Sequence, residues 1–157
     1  MATPFYISTY ITGWSIPIEE KQAESWLDGW QGQHARDHQN IFSALNSLQV
    51  ALGNDPYQVN QSELSFEKKD IESINNFLFN NRREHSEFYG WLNQLGAALA
   101  QYAKPPIIVY PKMNITGPVL DNSLDMWSIF MGGERVSHML TLSAINQIYA
   151  AYQGITP

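Results

Sequence analysis

Two stretches, Glu19–Leu52 and Phe66–Tyr102, each repeat apolar residues at alternating spacings of four and three, and this constrains the fold more than any other feature of the chain. In the first, Leu27, Gln31, His34, His38, Ile41, Leu45, Leu48 and Leu52 fall on one face of an α-helix. In the second, Ile71, Ile74, Leu78, Asn81, His85, Phe88, Leu92, Leu95, Leu99 and Tyr102 do the same. Each apolar seam is broken near its middle by polar residues. Reading the polar connection as a tight turn makes the helices antiparallel neighbours. With Leu52 set against Glu67, opposed positions sum to about 119, so His34 faces His85 and His38 faces Asn81.

The expected fold is therefore mainly α. An extended N-terminal arm covers residues 1–18, an antiparallel helical hairpin 19–104, and an extended segment with C-terminal helices 105–157. In the arm, Phe5, Ile7, Thr9 and Ile11 alternate with Tyr6, Ser8 and Tyr10, which is strand periodicity. Glu19, Glu20 and Glu24 suit the positive end of the first helix dipole. Gly53-Asn54-Asp55-Pro56 stops that helix, and Ser65 is the expected N-cap of the second. Lys104-Pro105-Pro106 ends the second helix, and Ile107–Tyr110 reads as another extended run. A third helix is expected from Asn122, with Asp125 as capping partner, carrying Leu124, Trp127, Phe130 and Met131. Gly132-Gly133 is expected to interrupt it. A last helix, Glu134–Tyr152, would bury Met139, Leu142, Ile145, Tyr149 and Tyr152.

Charge is unevenly spread. Residues 1–18 carry none, 19–104 hold nineteen of the twenty-four charged side chains, and 105–157 hold five. Charge-poor, aromatic ends look built to lie against protein rather than water. Phe5, Tyr6, Ile7, Tyr10, Trp14, Ile107, Val109 and Tyr110 are the candidate interface, packing on this chain or on a neighbouring subunit. A net charge of −6 with scattered Lys and Arg argues against a nucleic-acid partner. No long apolar run suggests a membrane span, and no signal-peptide pattern opens the sequence. The sequons at Asn60 and Asn114 are read as chance. With no cysteine, disulfides and thiolate metal sites are excluded.

His34 and His38 are four apart, so both rings share a helix face, with Asp37 and Glu84 nearby and His85 on the second helix. Three imidazoles and a carboxylate form a possible Zn²⁺ or Fe²⁺ set. The reading favoured by sequence is a polar layer of His34, His38, Asn81 and His85 that fixes helix register without a cofactor. A pH-responsive switch is the third possibility. Neither a nucleophile elbow, a phosphate loop nor a dinucleotide fingerprint is present, so no enzyme activity is expected. Gly132-Gly133 as an anion site, Asp121 and Asp125 as catalysts and the arm aromatics as a sugar or peptide platform are all weaker than their structural readings.

Trp30-Gln-Gly-Gln-His34-Ala-Arg-Asp37-His38-Gln-Asn-Ile41 and Phe79-Asn-Asn81-Arg-Arg-Glu84-His85 look like copies of one unit. With Thr12-Gly13-Trp14 and Glu63-Leu64-Ser65, residues 12–100 resemble small, mostly helical proteins encoded among the tail genes of tailed bacteriophages. The resemblance implies a non-enzymatic virion protein of the tail, baseplate or fibre-attachment region, assembled in the host cytoplasm. Its partners would be copies of itself or other virion proteins. The alternatives are a free-standing helical adaptor or inhibitor and a metal-binding protein using His34, His38 and His85.

Overall fold

A computed structural model describes residues 7–58, 63–100 and 121–155. These residues form three long helices: α1 (Glu20–Ala51), α2 (Ile71–Ala100) and α3 (Leu124–Ile155). The mainly helical expectation holds, and the bounds of α1 fall within one residue of those read from sequence. Asp70, not Ser65, caps α2: its Oδ1 accepts hydrogen bonds from the backbone N–H groups of Glu72 and Ser73. Ser123 caps α3 through Oγ, which accepts from Met126 N–H. Gly53 at φ +83° ends α1 in the left-handed region that favours glycine.

The helices are parallel, which corrects the antiparallel hairpin. Their first halves meet in one apolar cluster containing Leu27 and Trp30 of α1, Ile74 and Phe77 of α2, and Trp127 and Phe130 of α3. Their second halves meet in another, with Leu45 and Leu48, Leu92 and Leu99, and Ile145 and Ile148. Ring contacts keep the same order, with Trp30 against Phe77, His38 against His85 and Phe42 against Trp91. The physical reason is the connector. It runs back along α1: Tyr57 binds Asn46 and stacks on Trp91, Phe66 N–H donates to Gln31, and Lys68 reaches Glu24 and Asp28. A 32-residue helix is about 48 Å long, and a connection of nineteen residues is long enough to span at most roughly 60 Å, so the chain can return to the start before α2 begins.

Gly132-Gly133 does not interrupt the last helix. Helix α3 passes through both, and neither glycine has a neighbour where a Cβ would stand. The same is true of Gly29 and Gly32 in α1. Each nevertheless costs about 1 kcal/mol relative to alanine. The apolar face of α3 runs through Trp127, Phe130, Met131, Leu142, Ile145 and Ile148, while Met139 faces outward.

No strand is present among the described residues of the arm. Instead Ile7, Ile11 and Ile16 bury their side chains on the bundle. Asn146 fixes Ile7 by accepting from its N–H and donating to its carbonyl. Trp14 is half-buried and Tyr10 exposed. Phe5, Tyr6, Ile107, Val109 and Tyr110 lie outside the described residues, as do Tyr102 and the sequons.

Candidate metal centre

Between the two apolar clusters lies a buried polar layer. His34, Asp37 and His38 come from α1, Asn81, Glu84 and His85 from α2, and Glu134, Ser137, His138 and Thr141 from α3; all are buried. All four histidines of the chain are in it. Spacing explains the convergence. His34 and His38 are one turn apart, as are Glu134 and His138, so each pair projects from one helix face. Parallel helices of similar length then bring these pairs and His85 to the same height.

Glu134 is the hub. Its Oε2 lies 3.1 Å from His34 Nε2, 3.3 Å from His85 Nε2 and 3.3 Å from His138 Nε2. Its Oε1 accepts from Asn81 Nδ2 at 2.7 Å. One donor atom from each of His34, His38, His85, Glu134 and His138 lies within 4.8 Å of all the others. Ligands at right angles around an ion with bonds of about 2.1 Å stand about 3.0 Å apart, and opposed ligands about 4.2 Å apart. The observed edges of 3.1–3.3 Å therefore match the neighbouring ligands of a single ion. Shifts of a few tenths of an ångström would close the longest separation.

The outer nitrogens of three rings are tied down. His38 Nδ1 is 3.2 Å from Glu84 Oε1, His138 Nδ1 is 3.1 Å from Asp37 Oδ2, and His85 Nδ1 is 3.1 Å from Ser137 Oγ. Donation from His38 Nδ1–H to Glu84 assigns the tautomer that leaves a lone pair on His38 Nε2, while His138 meets a carboxylate at each ring nitrogen. His38 Nε2 has no hydrogen-bond partner, whereas His138 Nε2 stands 3.3 Å from Glu134 Oε2. Buried imidazole nitrogens without partners are costly, and a metal ion satisfies them. Carboxylates behind the ligating rings are the usual outer support of such ions. His34 differs: its Nδ1 has no partner, and the ring is held by stacking on Trp30, with centroids 4.3 Å apart.

The support extends to the arm. Asp37 accepts hydrogen bonds from Thr9 Oγ1 and Tyr10 N–H. The structure brings His34, His38, Asn81 and His85 together in a register other than the expected one: Asn81 meets Glu134, and His38 meets Glu84 and His85. Sequence reasoning missed Glu134 and His138. The signal was available, because Glu134 and His138 repeat the four-residue spacing of His34 and His38. Reading Gly132-Gly133 as a helix break hides that repeat, because it leaves Glu134 at a helix start.

Electrostatics single out Glu134 and His138. The ion pairs of Glu134 and Asp37 among the described residues are with histidines alone. Burial alone would raise the Glu134 carboxyl, but the charge of His85 and hydrogen bonds from His138, His34 and His85 hold it well below the usual range. Burial lowers the His138 imidazolium, yet hydrogen bonds to Asp37 and Glu134 outweigh it and lift the ring to about 9. Burial pushes His34 down to about 4 despite its bond to Glu134. Burial also lowers His85, and it lowers His38 with help from the charges of His34, His85 and His138. Without an ion His138 carries a proton held between Asp37 and Glu134. A divalent cation would replace that proton and meet every inward-facing donor at once.

No protein-family model, curated protein or solved structure matches the chain.

Proposed function

We propose that this protein is a mononuclear metal-binding helical protein. His34, His38, His85 and His138 would supply Nε2, and Glu134 would supply Oε2. The observation that carries this reading is the convergence of these atoms while Glu84, Asp37 and Ser137 hold the far side of three rings. Imidazole-rich sites suit iron, nickel, copper and zinc. Five donors exceed the four usual for structural zinc and leave one position of an octahedron for water or a small exogenous ligand. Ferrous iron is accordingly the first ion to test. Such an ion could serve Lewis-acid or redox chemistry at the open position. The protein's own part is to fix the donors, bury the layer and hold the three outer nitrogens.

The test is equilibrium loading under anaerobic conditions, followed by metal analysis. The expected result is one ion per chain in the parent protein and loss of that ion in His85→Ala and Glu134→Gln. Unchanged metal content in both variants would sink the assignment.

A virion structural role is a second, compatible proposal. Beside the resemblance, it is supported by Ile18, Phe79 and Ile129, which are 95%, 69% and 65% exposed and offer apolar contacts to neighbouring subunits. A metal-locked bundle would be the rigid core of such a subunit. Light scattering on the loaded protein tests this, and a strict monomer across concentration would count against it.

A further inference from the structure

A cavity of about 300 Å³ opens between α1, α2 and the α1–α2 connector. Exposed Gly32 and Glu63 stand at its outer side, Phe42 and Leu64 line it, and buried His38 and Glu84 form its inner wall. Resting on the metal reading above, we propose that this cavity is the path by which a hydrated divalent cation reaches the histidine layer.

Three observations carry this. First, His38 is 1% exposed and its Nε2 has no hydrogen-bond partner, so an unsatisfied metal donor belongs to the ring that borders the cavity. Second, among the described residues the lining includes the carboxylates of Glu63 and Glu84 and no Lys or Arg, which favours a cation over an anion. Third, Gly32 sits inside a long helix where no neighbour requires it, since a Cβ there would meet nothing. What a side chain would do at Gly32 is fill the outer part of the cavity. The glycine keeps open a route that a leucine would block. Gly29, one turn earlier, is a natural comparison: it is equally unhindered and lines a separate cavity that touches neither His38 nor Glu84.

The experiment is stopped-flow uptake of Fe²⁺ by metal-free protein, with final stoichiometry measured on the same samples. Gly32→Leu should bind the same amount of iron but take it up roughly tenfold or more slowly, as a gate would. Gly29→Leu should load at the parent rate. Because a leucine at 32 could disturb folding, Glu63→Lys provides a second arm on an exposed side chain. It should slow uptake severalfold at low salt and lose the effect at high salt. Equal uptake rates in Gly32→Leu, Glu63→Lys and the parent would overturn the path while leaving the metal site intact. Failure of the parent to hold iron at equilibrium would overturn both.

Discussion

The His138 ring bridges two buried carboxylates: Nδ1 is 3.1 Å from Asp37 Oδ2, and Nε2 is 3.3 Å from Glu134 Oε2. One imidazole thus joins the hub of the layer on α3 to the α1 carboxylate that also anchors the N-terminal arm through Thr9 and Tyr10. This arrangement lifts His138 to about 9, against the effect of burial, and the first predictions concern that proton.

Metal binding should release it. At pH 7 the metal-free ring is protonated, while a metal-bound Nε2 with Nδ1–H directed at Asp37 is not. We expect about one proton displaced per ion at neutral pH, and affinity that rises with pH until His138 titrates near 9. Calorimetry of the same titration in two buffers of different ionisation enthalpy reads the proton directly. Binding without proton release would contradict the assignment of His138 as both ligand and proton carrier.

The metal-free protein should be most stable near pH 6.5. His138 has a raised folded value, so its contribution is complete below the unfolded value of 6.5 and is lost as pH climbs through about 9. His34 has a lowered folded value, so its contribution is complete above 6.5 and is lost as pH falls through about 4. Glu134, also lowered, weakens the fold further in acid. Thermal melts of chelator-treated protein from pH 4 to 9 should trace a dome. A monotonic rise to pH 9 would show that His138 gains nothing from Asp37 and Glu134.

Asp37→Asn should separate support from ligation. Asparagine is nearly the same size, so the bundle should fold. It removes the charge behind His138, and outer-shell changes of this kind cost roughly 10- to 100-fold in metal affinity. Competition against a chelator of known affinity measures the loss. Glu134→Gln, which alters a donor, should cost more. If Asp37→Asn bound metal as tightly as the parent, the outer carboxylate would have no role in the centre.

Part of this architecture was legible in the residues and part was not. Helices α1 and α2 declared themselves because nearly all of their seam positions are buried, from Leu27 to Leu48 and from Ile74 to Leu99. The polar layer declared itself because His34, His38, Asn81 and His85 interrupt those seams. Helix direction did not. A heptad pattern fixes which face is buried, but it is the same for parallel and antiparallel partners. Only the course of the connector, with Phe66 at Gln31 and Lys68 at Asp28, decides between them. Glu134 and His138 were obscured because two adjacent glycines read as a break, whereas burial of Met131, Leu142 and Ile145 carries α3 through them.

Gly29→Ala should stabilise the protein. The residue lies within α1, and the added methyl group meets open space. The gain expected is about 0.5–1 kcal/mol from helix propensity and the smaller entropy of the unfolded chain. Denaturant unfolding should show a higher midpoint at unchanged slope. A lower midpoint would mean that this turn of α1 needs the freedom of glycine.

The most direct test of the metal centre is X-ray absorption at the iron edge on protein loaded with one equivalent of Fe²⁺. The geometry predicts nitrogen and oxygen donors at about 2.1 Å, with outer-shell scattering from four imidazoles, reduced when His38 or His85 is replaced by alanine. A spectrum with oxygen donors and no imidazole scattering, unchanged by either substitution, would contradict the account.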